Sequence, residues 1–254
     1  MVQTPADEIP VRAKYSVKQA PLSDDPNNFD HVGDVNDRVA EYVNVLKGEG
    51  IEVKRPSIFD FSMETKTPTW TAATQSGCTC PRDVFFISGN HLIEAPMSWK
   101  CRYFENLGYR DMMLDYWNKN PLMKWSAPPK PRLLDSSYQV NNPNKTIANN
   151  EILFDAADCR RFGKDIFVQD SHTANQMGIE WIRRTLASDG IRVHQFEFET
   201  ATFSHIDAKI TPISEDTMLW CAEERPSDSM FKLFKENEWN LLEMPKRQSC
   251  VSTG

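Results

Sequence analysis

The chain has 254 residues, 40% of them hydrophobic and 26% charged, which is enough to bury a substantial core and excludes disordered and fibrous classes. Its 29 Lys+Arg against 36 Asp+Glu give a formal net charge of -7 and a pI near 5.3. A protein whose affinity rests on neutralising phosphates is thereby excluded, and no nucleic-acid partner is expected. No run approaches the about 20 consecutive apolar residues of a membrane helix, and the N-terminus MVQTPADEIPVRAKYSVKQ lacks an apolar signal run. The expectation is a soluble chain with no transmembrane segment.

Residues 1–31 carry Pro5, Pro10, Pro21 and Pro26 among polar neighbours, a composition that cannot offset its ordering entropy, so a flexible N-terminal tail is expected there. From Val32 the pattern changes. Val35, Val39, Tyr42, Val43 and Leu46 recur at helical spacing, Gly48 and Gly50 stop the helix, and Ile51-Glu52-Val53 alternates like a strand before Pro56. Next comes a strand pair, Val84 to Ser88 with His91 to Ile93, across a Gly89-Asn90 turn whose residues both tolerate positive φ. A helix is expected from Tyr103 to Trp117.

The second strand pair is expected at Ile152 to Ala156 with Asp165 to Val168. A helix capped by Ser171 or Thr173 follows, with Met177, Trp181, Ile182 and Leu186 on its apolar side, Gly190 at its end, and the strand residues Ile191, Val193, Phe196 and Phe198 beyond. The third pair is Ile206 to Ile213 with Met218 to Cys221, followed by a helix from Ser229 to Trp239 and the strand Asn240 to Met244, closed by Pro245. The strand starts Ile191 and Asn240 lie 49 residues apart. The repeating sentence is strand, strand, helix, strand, and such units stack because none can bury its face alone. Residues 32–245 are therefore read as one repeat-built domain, and 246–254 as a C-terminal tail.

Six cysteines, Cys78, Cys80, Cys101, Cys159, Cys221 and Cys250, are read as reduced thiols in the absence of a signal sequence, which fits the cytoplasm or an organelle matrix. Cys78-x-Cys80 has no second pair to complete a zinc site, so no metal is expected. No Gly-rich phosphate cradle is present either, and no cofactor is expected.

Three acids stand out among a mostly solvated set. Asp83, Asp155 and Asp207 each sit at or near the end of an apolar stretch, where a carboxylate either bonds turn amides or serves chemistry. His205 and Asp207, two apart, would share one strand face. A histidine held near carboxylates keeps a proton near neutral pH and can act as general acid or base. Arg225 is a candidate anion clamp. Two carboxylates can grip a planar guanidinium while an arginine takes an α-carboxylate, which describes an arginine-shaped site.

The segments CPRDVFFISGNHLIEAPMSWKCRYFE at 80–105, APPKP at 127–131, FDAADCRRFGKDIFVQDSHTANQMGIEWIRRTL at 154–186 and SHIDA at 204–208 closely resemble the glycine (L-arginine) amidinotransferase family, including amidinotransferases of cyanobacterial toxin pathways. The resemblance runs from about Val32 to Pro245. It implies the pentein, or α/β-propeller, fold of ββαβ units, here about four of the fold's five. It also implies transfer of the amidino group of L-arginine to a small amine acceptor such as glycine, giving ornithine and guanidinoacetate or a related product. By the same resemblance Asp155 and His205 are the catalytic acid/base pair, Asp83 and Asp207 grip the guanidinium, and Arg225 helps bind substrate, although AEERP stands where the family has NPDRP. Vertebrate-type relatives would place the protein in mitochondria, bacterial ones in the cytoplasm.

In the family the nucleophile is a cysteine in a Gly-rich C-terminal segment, whereas this chain ends nine residues after Pro245. The nucleophile is therefore left unassigned, with Cys250 and Cys80 as weak substitutes. The alternative reading is an inactive pentein that binds arginine-like ligands or a full-length partner. An incomplete propeller leaves sheet edges uncovered, so homo-oligomerisation is also expected.

Overall fold

A computed structural model describes residues 31–78, 80–139, 146–199 and 205–244. Both expected tails lie largely outside these residues, as does Cys250. The elements begin with helix α1 (His31–Gly48), the strands β1 (Thr65–Lys66) and β2 (Thr71–Ala72), and the one-turn helix α2 (Pro81–Val84). Strands β3 (Phe85–Ser88) and β4 (His91–Glu94), helix α3 (Arg110–Lys119) and strand β5 (Lys124–Ser126) follow. Next come β6 (Cys159–Phe162), β7 (Asp165–Gln169), α4 (Gln176–Ala187) and β8 (Arg192–Phe196). The series closes with β9 (Ile210–Pro212), β10 (Thr217–Cys221), α5 (Asp228–Glu236) and β11 (Asn240–Met244).

The chain divides into two compact units, one of residues 31–78 with Lys100–Lys119, the other of residues 80–99 with those from 120 onward. In the first, Gly108 packs so closely that an added Cβ would sit 2.7 Å from the Cys78 sulfur, and the Tyr109 hydroxyl donates to the Cys78 carbonyl. Arg102 holds the buried Glu105 in a two-point ion pair at 2.6 and 3.0 Å. The α1 stripe read from the sequence is a helix, but Val39, Tyr42 and Val45 on it are exposed. Ile51–Val53 forms no strand, because no neighbouring strand pairs with it among the described residues. The Tyr103–Trp117 helix is also modified: Glu105–Tyr109 is a 3₁₀ segment, and only from Arg110 does the chain become α-helical.

The second unit contains three three-stranded sheets with one pattern. In each, an antiparallel pair (β3–β4, β6–β7, β9–β10) is extended by a parallel strand (β5, β8, β11) that follows a helix in the chain. The strand, strand, helix, strand period is thus realised three times. Gly89 turns the first hairpin at φ +62, as its lack of Cβ allows.

Two expected strands are corrected. Ile152–Ala156 is not a strand; the hairpin partner of β7 is Cys159–Phe162. The backbone of residue 153 is instead satisfied by Asn175, whose amide NH donates to the Leu153 carbonyl at 3.0 Å and whose side chain accepts from the Leu153 NH at 3.4 Å. The stretch Ile206–Ile213 divides into a 3₁₀ turn, Ile206–Ala208, and the shorter strand β9. The cap of α4 is Asn175 in place of Ser171 or Thr173; its side-chain oxygen accepts from the Gly178 NH at 2.9 Å.

The second and third sheets share an apolar core. Phe162, Phe167 and Phe196 meet Ile206, Ile210, Met218, Trp220, Met230 and Phe234, with Phe167 edge-on to Phe196 and stacked on Phe234. Such aromatic packing buries large areas and fixes relative positions. A separate polar clip joins the first and second sheets: His91 on β4 bonds Asp189, after α4, at 2.6 Å and Ser126 on β5 at 2.8 Å, while Lys124 also pairs with Asp189.

Asn175 additionally donates to the carbonyls of Ala148 (2.7 Å) and Glu151 (2.8 Å). One side chain thus sews the segment before residue 155 to the first turn of α4. Gly178 completes this seam, since a Cβ there would overlap the Leu153 carbonyl, a backbone atom that cannot rotate aside. Gly178→Ala is expected to cost about 3 kcal/mol through overpacking, measured as a fall in the urea midpoint at unchanged slope.

Candidate active site

Three short turns of the second unit carry the acids and the histidine singled out in the sequence. Asp83 lies on α2, a single turn started by Pro81 and anchored by the fully buried Val84, which joins this turn and leaves the strand to begin at Phe85. Asp155 begins the 3₁₀ turn Ala156–Asp158 and is flanked by Phe154 and Ala156, both at 0% exposure. His205 begins the turn Ile206–Ala208, pinned by Ile206 in the aromatic core. Each of these three residues therefore adjoins an apolar anchor that fixes its backbone.

His205 is the hub. Its Nε2 lies 3.3 Å from Asp155 Oδ2 and its Nδ1 4.0 Å from Asp83 Oδ1. Donor atoms of these three residues all fall within 4.8 Å of one another, a spacing that a cation could also use. Asp155 is completely buried, and its other oxygen accepts from the Ser98 NH at 3.3 Å. Ser98 is itself tied down by the Tyr138 hydroxyl (3.2 Å) and by its own bond to the Thr173 carbonyl. The carboxylate thus has little freedom to turn away from the ring.

Electrostatics favour a proton on the imidazole. Burial opposes the charged ring, but the hydrogen bond to Asp155 and the charges of Asp155, Asp158 and Asp83 outweigh it and hold His205 at about 9. Asp158, fully buried behind it, moves the other way. Burial raises its carboxyl to about 7, reinforced by Asp155 and opposed by His205 and by the Thr173 hydroxyl, which donates at 2.6 Å. Near neutral pH the cluster is an imidazolium set among carboxylates, one of them close to its titration point.

Asp158 was not singled out in the sequence, yet a signal was there: in Asp155-Ala-Ala-Asp158 the acids are three apart, and a 3₁₀ turn eclipses i and i+3. Lys209 was also missed. It is 1% exposed, with its ammonium 2.8 Å from Gln169 Oε1 and 3.2 Å from Glu224, and burial pulls it below the usual lysine range. No periodicity marks such a residue. Arg82 bridges two turns by donating to the carbonyls of Ala156 (2.6 Å) and Cys159.

The sequence argument for Asp207 requires correction. Asp207 lies within the 3₁₀ turn Ile206–Ala208 and His205 caps it, so the two do not share a strand face. Asp207 is half-buried and interacts with Arg160 on β6. Arg225 is engaged elsewhere: its guanidinium pairs with Glu199 and Asp228 and lies 4.8 Å from the Phe231 ring centroid.

Repeated ββαβ units that deliver carboxylates and a histidine from their connecting turns to one cluster define a pentein-fold protein. No family model matches the chain. It is 36% identical over 230 residues to the mitochondrial glycine amidinotransferase of Xenopus tropicalis, a match covering 85% of this chain and 53% of that protein. It is 34% identical over 214 residues to the L-arginine:L-lysine amidinotransferase of Pseudomonas savastanoi pv. phaseolicola, covering 81% and 57%. An amidinotransferase of the saxitoxin biosynthetic pathway from Microseira wollei superposes with a TM-score of 0.79 at 35% identity, covering 87% of this chain and 64% of that one. The chain belongs to the amidinotransferase family and spans about half the length of the curated relatives it matches. No described helix is long and apolar enough to cross a membrane.

The raised His205 value has a thermodynamic consequence. A histidine at about 9 when folded and 6.5 when unfolded contributes stability that is complete below pH 6.5 and lost as pH rises through 9. We expect wild-type stability to fall across this interval by up to about 3 kcal/mol more than that of His205→Gln, read from urea denaturation of both proteins at pH 6 and pH 9.5.

Proposed function

We propose that the described residues form the guanidinium-binding and proton-transfer part of an arginine-dependent amidinotransferase. Asp83 and Asp207 grip the planar guanidinium of L-arginine, Asp155 orients His205, and His205 moves protons. The observation that carries the reading is the His205 ring held 3.3 Å from the fully buried Asp155 carboxylate, a setting that favours the protonated ring. An imidazolium in that setting is a ready general acid for an amine leaving group.

The chemistry runs in two halves. A cysteine thiolate attacks the guanidinium carbon, the bond from that carbon to the chain nitrogen breaks, and the nitrogen leaves as the ornithine amine with a proton from His205. The acceptor amine then attacks the amidino carbon and returns a proton to His205, and the carbon–sulfur bond breaks to release the guanidino product. Among the described thiols, burial pushes Cys78, Cys101 and Cys159 above the ordinary thiol range, and a hydrogen bond to Glu223 does the same for Cys221. None of these four is an activated thiolate. The family resemblance assigns the nucleophile to a C-terminal cysteine segment. Glycine and lysine are the acceptor candidates, because the relatives are named for them.

L-arginine is expected to raise the melting temperature of the chain and to bind measurably in calorimetry. Asp83→Asn should weaken that binding about tenfold or more, the worth of one charge-assisted hydrogen bond. Unchanged affinity in the variant would count against the guanidinium assignment. Ornithine release with glycine or with lysine then separates the two acceptors.

A further inference from the structure

One group of polar side chains outside the clustered acids has the connectivity of a catalytic device. His91 is the first residue of β4 and stands opposite Lys124 of β5 in the parallel register, and Lys124 and Ser126 are two apart on that edge strand. All three therefore lie on one face of the first sheet. Asp189 reaches the same face from the turn that ends α4, where its NH donates to the Leu186 carbonyl at 3.0 Å and Gly190 follows at φ +69. The His91 side chain is 5% exposed and uses both ring nitrogens: Nδ1 lies 2.6 Å from Asp189 Oδ2 and Nε2 2.8 Å from Ser126 Oγ.

The charges fix the direction of these bonds. Hydrogen bonds from Lys124 and then from His91 hold the Asp189 carboxyl below its ordinary range, and a carboxylate only accepts. Nδ1 therefore donates, Nε2 presents its lone pair, and the Ser126 hydroxyl donates to it. Serine, histidine and aspartate connected in that order are a nucleophile, its base and the group that orients the base. The bonds of Asp189 to His91 and Lys124 link the two repeats without the serine, and Ser126, half-buried at the sheet edge, adds a hydroxyl that the link does not need. We propose that Ser126, His91 and Asp189 form a second site, independent of the amidino chemistry, that hydrolyses esters of small carboxylic acids.

Ser126 Oγ attacks the ester carbonyl carbon while its proton passes to His91 Nε2, the bond to the alcohol oxygen breaks, and His91 protonates the leaving alcohol. Water then attacks the acyl-serine and gives its proton to His91, which returns it to Ser126 Oγ as the carbon–Oγ bond breaks and the acid leaves. Asp189 holds the ring in the required tautomer throughout. Lys124, on the same face two residues before the nucleophile and with its side chain 51% exposed, supplies a cation for the developing oxyanion. Partial burial of Ser126 favours a small acyl group over a large one.

The test uses p-nitrophenyl acetate and diisopropyl fluorophosphate with the full chain. Steady release of p-nitrophenolate above the buffer rate is expected, falling about a hundredfold or more in Ser126→Ala, the usual contribution of a positioned proton-transfer pair. The fluorophosphate should stop the release and leave one diisopropylphosphoryl group on Ser126, located by peptide mass spectrometry. Ser126→Ala keeps the bonds of Asp189 to His91 and Lys124, so its melting temperature should stay close to that of the wild type. If that variant does not fold, the residue labelled in the wild type decides alone. Hydrolysis that persists in Ser126→Ala, as attack by a thiol would give, overturns the proposal. So does the absence of label on Ser126, or a wild-type rate no higher than that of buffer.

Discussion

Everything at the site depends on one electrostatic constraint: Asp155 and Asp158 are withdrawn from water together, and His205 is the cation that makes this tolerable. Two buried carboxylates three residues apart repel and are poorly solvated. A proton on the adjacent ring converts that repulsion into attraction, and the Ser98 and Thr173 donors take up part of the remaining charge.

The fold supplies the rigidity that such a balance needs. Each ββαβ unit buries its apolar side, and the clustered carboxylates and histidine occupy turns directly next to buried anchors: Val84 beside Asp83, Phe154 beside Asp155, Ile206 beside His205. Shifting any of these turns would require repacking a closely filled core. The polar residues are therefore held by hydrophobic burial one position away and are spared the need for long hydrogen-bond chains of their own.

Much of this was legible in the sequence, and the parts that were not share a cause. The repeat, the Gly89 hairpin, helices α4 and α5 and strand β11 follow from periodicity and turn chemistry, because each is determined by its own residues. The misplaced strand Ile152–Ala156 is a largely buried apolar run without a strand partner, a tertiary circumstance that composition does not encode, while the expected strand Ile206–Ile213 gives its first three residues to a 3₁₀ turn. Asp155 and His205 were recognisable, since family motifs surround them. Asp158 is not, because what sets it apart is complete burial beside Asp155, which has no local pattern. Arg225 pairs with Glu199 and Asp228, neighbours that its AEERP context does not announce.

The clip formed by His91, Ser126, Lys124 and Asp189 ties the edge strand β5 of one sheet to the residue just beyond α4, the helix of the next. Neighbouring repeats are therefore linked by side chains as well as by stacking. Local opening at β5 must release Asp189, so hydrogen exchange from β5 and from the last turn of α4 should occur as one cooperative event, with the clip setting the size of the smallest piece that can unfold alone.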